Sequence, residues 1–155
     1  MFEAEFFAKS GPWWERRFFG CSADQFPLPK YETLHKSFDM VVRVQAERGW
    51  DPSNPSTEIS KRLFDRVGTM LKPSDASDLR LYCALGTALD MYHGADGFLR
   101  VRTHVVLLDL TVRRDKVQRK SVIFRKSDKS NRRIGAVAEQ IASLLNGSIY
   151  NNKLV

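Results

Sequence analysis

The chain has 155 residues, 43% hydrophobic and 28% charged, enough apolar material for the core of one domain and too much for a disordered polymer. Its formal net charge is +7, and the placement is uneven: residues 100–133 hold 12 bases against 3 acids, residues 1–99 hold 12 against 14, and the remainder cancels. No run nears the roughly 18 apolar residues of a membrane span, and the opening MFEAEFFAKSGPWWERRFF has acids before its first base and no apolar h-region, so neither a membrane anchor nor a signal peptide is expected.

Residues 1–30 are rich in aromatic side chains: Phe2, Phe6, Phe7, Trp13, Trp14, Phe18, Phe19 and Phe26. Such rings can stack on unpaired bases beside Arg16 and Arg17, but an N-terminal arm packed on the core is the commoner use and the reading preferred here. Cys21 and Cys83 stand far apart outside any CxxC pattern and are read as reduced thiols of a cytoplasmic protein. Residues 31–48 have the three-four spacing of a helix (Leu34, Phe38, Val41, Val42, Gln45), with Gly49 at its stop. A second helix starts near Ser56 or Thr57 with Glu58 in its first turn, carries the stripe Ile59, Leu63, Phe64, Val67, Met70 and Leu71, and ends at Pro73.

Beyond it the period changes to that of strands: 79–86, 94–101, 104–112 and 120–126. A last helix is expected over 132–146, capped by Ser130 or Asn131 and stopped by Gly147, with a short strand around 148–150. The class is therefore α/β in the α+β sense. One domain is expected, with a central mixed sheet flanked by helices, residues 1–55 as an N-terminal elaboration and 56–150 as the core.

A turn at Arg102-Thr103 would place Asp96 across from Asp109, on one face with Val105, Leu107, Thr111 and Arg113. Directly opposed side chains have Cβ atoms about 5 Å apart, and like charges there repel unless something neutralises them. A divalent cation, Mg²⁺ or Mn²⁺, is a natural neutraliser for hard carboxylate oxygens, and such an ion also grips phosphate. The structural alternative gives Asp96 to the turn Gly94-Ala-Asp-Gly97 and pairs Asp109 with a nearby arginine.

The order of elements with these acids resembles the PD-(D/E)XK, or restriction-endonuclease-like, nuclease superfamily. Its core runs helix, three-stranded meander, helix, strand, with one acid near the start of the second strand and an acid-x-lysine motif on the third. The resemblance covers roughly residues 56–150 and is carried by the helix with Glu58, by Asp96 in GADGFLRV and by Asp109 in VVLLDLT. It implies a metal-dependent endonuclease, with Asp96 and Asp109 as Mg²⁺ or Mn²⁺ ligands and Glu58 orienting a water or a second ion. The chain departs from the pattern at the lysine, where it has Thr111, so that the motif reads Asp-Leu-Thr. Thr111 can hydrogen-bond but brings no charge; Arg113, Lys116 or Lys120 would have to supply it, and Lys120 is taken as the catalytic candidate.

The basic stretch suits a polyanion, which it would attract and hold at the backbone. Arg100, Arg102, Arg113, Arg114, Lys116, Arg119 and Lys126 are the candidate nucleic-acid contacts, with DNA preferred to RNA, no membrane partner, and a homodimer suited to cutting two strands. A binding module on the same fold without catalysis, and a protein-interaction domain for an acidic partner, are the competing functions. His35, His93 and His104 lack metal spacing; His93 reads as structural. Asp90 is either a further ligand or a loop cap, and no phosphate-cradling loop, HExxH or nucleophile elbow is present.

Overall fold

The computed structural model describes residues 11–112, 121–125 and 130–154. In chain order its elements are α1 (Gly11–Phe19), a 3₁₀ turn (Ala23–Gln25), α2 (Leu34–Val44), α3 (Glu58–Thr69), α4 (Pro73–Ser77), β1 (Leu79–Cys83), α5 (Ala88–His93), β2 (Gly97–Val101), β3 (His104–Thr111), β4 (Ser121–Arg125) and α6 (Asn131–Leu154). The strands form one mixed sheet in the order β1-β2-β3-β4, antiparallel except for the parallel pair β3-β4. This is the α+β class with a mixed sheet expected from the sequence.

Alternation along the strands gives the sheet two unlike faces. Leu79, Leu81, Leu99, Val101, Val106, Leu108, Leu110, Val122 and Phe124 enter the main core with the apolar stripes of α3 and α6 and with Trp14, Phe18 and Phe19 of α1. The aromatic arm is therefore packed into the core, as preferred, for the part of it that is described. On the other face Tyr82 and Phe98 meet Val41 of α2 and Leu89 of α5 in a smaller cluster that Leu107 flanks.

Side chains from outside the sheet hydrogen-bond both edge strands, which blunts the exposed ladder that invites association. On β1, Trp50 Nε1 donates to the Leu81 carbonyl at 2.9 Å, and Gln45 both accepts from the Cys83 amide (3.0 Å) and donates to its carbonyl (2.9 Å). On β4, Trp14 Nε1 donates to the Phe124 carbonyl at 3.1 Å.

Three expectations change. The first helix is shorter than 31–48, and residues 87–93, unassigned from sequence, hold α5, which ends on Gly94 in the left-handed conformation. The last helix does not stop at Gly147, nor is there a strand at 148–150: α6 runs through both. Ile149 is buried and extends the stripe Ile141, Leu145 at the same helical spacing, while a Cβ on Gly147 would meet nothing, so the glycine is merely tolerated. The parallel fourth strand thus precedes the final helix, where the nuclease-like order puts it afterwards.

Candidate functional site

The β2-β3 hairpin turns at Arg102-Thr103, as expected, although neither residue is a usual turn former. Arg102 has φ +53°, a left-handed conformation for a non-glycine residue. Its guanidinium holds the turn by donating to Asp75 Oδ1 at 2.6 Å and to Asp78 Oδ2 at 2.9 Å, at the end of α4. Arg102, expected among the nucleic-acid contacts, is therefore engaged by two carboxylates at the turn.

The ladder then runs in the expected register from Val101↔His104 to Gly97↔Leu108. Gly97 has to be glycine: a Cβ there would lie 2.6 Å from the Tyr82 carbonyl oxygen and 2.7 Å from Phe19 Cζ. One residue further the pairing changes. The Asp96 amide donates to the Leu108 carbonyl (3.0 Å), its carbonyl accepts from Ala84 (2.9 Å), and its Oδ2 accepts from the Leu110 amide at 2.7 Å. Asp96 is thus not a simple cross-strand partner of Asp109, because its side chain serves as a ladder acceptor.

The two acids nevertheless converge. Asp96 and Asp109 are 8% and 3% exposed, and their carboxyls are hydrogen-bonded to each other. A third joins them: Asp90, in the first turn of α5, hydrogen-bonds Asp96 while its Oδ2 accepts from the Gly86 amide at 2.8 Å. Asp90 is hence both loop cap and member of the cluster. Two carboxyls share a hydrogen bond only when one keeps its proton. Burial above all, then the charge of Asp90 and the bonds to Asp109 and Asp90, holds the Asp96 carboxyl well above its ordinary range; burial likewise raises Asp90.

Among the described residues, no three His, Cys, Asp or Glu side chains are spaced to enclose a metal ion. Magnesium, however, is commonly held by only one or two carboxylates and keeps its waters, and the donors here are all hard oxygens. Asp96 and Asp109 thus bring together donors of the kind such an ion takes.

Thr111 continues the face of Asp109 and is buried. Its partner across the parallel pair is Arg125, as Ile123 is the partner of Asp109. A guanidinium-bearing residue thus stands beside the position where the acid-x-lysine pattern would have its base. Sequence reading missed Arg125, because only the β3-β4 register brings it there. Lys120, Arg113, Arg114, Lys116, Arg119 and Lys126 lie outside the described residues.

Glu58 is not brought to the acids. It opens α3, whose apolar stripe packs on the opposite face of the sheet, and its side chain is 79% exposed and paired with Arg62 at 3.9 Å. Arg100 is on the same face as Asp109, its guanidinium 4.8 Å over the Tyr82 ring and donating to the Tyr82 hydroxyl at 2.8 Å. Arg80 is its cross-strand partner, and Val105 on the other side is exposed. His93 Nε2 bonds the Glu32 carbonyl at 2.8 Å, the structural role expected of it.

No helix among the described residues is long and apolar enough to cross a membrane. No family model matches the chain, and no curated protein or solved structure matches it either.

Proposed function

We propose that this chain is a metal-dependent nuclease that acts on the phosphodiester backbone of nucleic acid, with Asp96 and Asp109 holding Mg²⁺ or Mn²⁺. The observation that carries the reading is the convergence of Asp90, Asp96 and Asp109 at the end of the β2-β3 hairpin, where neither repulsion nor burial favours three acids unless a proton or cation joins them. When bound, the ion supplies Lewis acidity to a phosphoryl oxygen. Asp90 braces Asp96 through their hydrogen bond and the Gly86 amide. Arg125 provides beside Thr111 the positive charge that threonine lacks. Arg80 and Arg100, adjacent on the same sheet face, contact the backbone phosphates.

A binding module without catalysis is the second reading, favoured by Thr111 itself and by the depth at which Asp109 is buried. Incubation with plasmid and single-stranded DNA separates the two. Cleavage is expected with Mg²⁺ or Mn²⁺, lost with EDTA and lost in Asp109→Ala, which should still bind. Cleavage that survives Asp96→Ala combined with Asp109→Ala would sink the site. Binding that ignores EDTA, without cleavage under any metal, selects the module.

A further inference from the structure

The fold brings Cys21 and Cys83, 62 residues apart in sequence, to a sulfur–sulfur distance of 3.8 Å. Cys83 ends β1 and is buried, while Cys21, in the segment after α1, is partly open to solvent. Their surroundings are asymmetric in the way a thiol-exchange site requires. The Arg48 guanidinium, stacked 3.8 Å from the centre of the Phe26 ring and bonded to the Leu85 carbonyl, directs positive charge at both sulfurs. Glu15 opposes it at Cys21. The bond to Cys83 pulls the Cys21 thiol below its ordinary value, and burial pushes Cys83 well above. The more accessible sulfur is thus the better thiolate, and the sheltered one is placed to resolve it.

We infer that Cys21 and Cys83 form a reversible dithiol–disulfide site that exchanges with low-molecular-weight disulfides of the glutathione type. The Cys21 thiolate attacks one sulfur of the small disulfide, forming a mixed disulfide and releasing one small thiolate. Cys83 then gives up its proton and attacks Cys21 Sγ, forming the Cys21–Cys83 bond and releasing the second small thiol. Both cysteines are oxidised and the small disulfide is reduced to two thiols. The new bond would tie the arm that carries α1 to the end of β1, where the next residue, Ala84, donates to the Asp96 carbonyl. It closes a long loop, so the oxidised chain should unfold at a higher temperature than the reduced one.

The test is intact-mass measurement after thiol alkylation, on the full chain equilibrated with graded ratios of reduced to oxidised glutathione. Expected is a monomer that loses both alkylatable thiols together, taking up no alkyl group where the reduced chain takes up two, and that regains them in excess reduced glutathione. Cys83→Ser should stop at a glutathione adduct on Cys21, and Cys21→Ser should leave Cys83 unmodified. A wild-type chain that stays dithiol at every ratio, accumulates the mixed adduct, or links to a second copy overturns the inference. So does preferential glutathionylation of Cys83.

Discussion

The Leu110 amide donates its hydrogen bond to Asp96 Oδ2, 2.7 Å away, so a carboxylate closes the end of the β2-β3 hairpin where a backbone carbonyl would ordinarily serve. The acid proposed to hold metal is therefore also part of the sheet. Asp96→Ala leaves a buried amide without its acceptor and should cost about 1–3 kcal/mol. Asp96→Asn keeps an acceptor oxygen and removes a like charge, and should stay within about 1 kcal/mol of the parent. Denaturant midpoints check the order; equal losses in the two variants would contradict this role.

The same carboxyl gives stability a pH dependence of definite sign. Asp96 and Asp90 titrate above the ordinary carboxyl range, chiefly through burial, so the folded chain binds more protons than the unfolded one across that window. Their contribution is complete below the ordinary carboxyl pKa of about 4 and is lost as pH rises through the raised values. Without metal, the parent should lose melting temperature relative to Asp96→Asn as pH rises above the ordinary carboxyl pKa of about 4. A parent that gains on the variant over that range would show that Asp96 is not raised.

The hairpin was legible in the sequence because two alternating runs flank Arg102-Thr103, and the register that followed is correct as far as Gly97↔Leu108. What failed was local geometry beyond the ladder: alternation cannot show that Asp96 turns its side chain to an amide. Asp90 was noticed and left undecided, since α5 is a single short helix with too few residues for periodicity to reveal. Arg125 went unrecognised as a neighbour of Thr111 because its position depends on a parallel pairing, and parallel pairs are set by the sheet rather than by a turn. Gly147 misled in the opposite way: composition marks a stop, while the buried Ile149 carries the helix through it.

Arg102 belongs to the turn. Arg102→Ala takes the guanidinium away from Asp75, which is almost wholly buried, and should lower the melting temperature. Nucleic-acid affinity, measured where the variant is folded, should be unchanged. A large affinity loss with unaltered stability would place Arg102 on the binding surface instead.

Arg80 and Arg100 make the opposite case. If they contact phosphates, each alanine variant should lower the slope of log affinity against log salt by about one, uniformly across sequences. Fluorescence anisotropy with labelled DNA over a salt series reads that slope. Slopes identical to the parent would move the interface away from the Tyr82-Arg100 face.

The central claim is that Asp96 and Asp109 hold a divalent cation, and Mn²⁺ titration monitored by electron paramagnetic resonance tests it most directly. The account predicts one bound Mn²⁺ per chain, displaced by Mg²⁺, weakened as pH falls, and lost in Asp109→Asn while the variant keeps its fold by circular dichroism. No bound Mn²⁺ in the parent, or binding unaltered by Asp109→Asn, would contradict it.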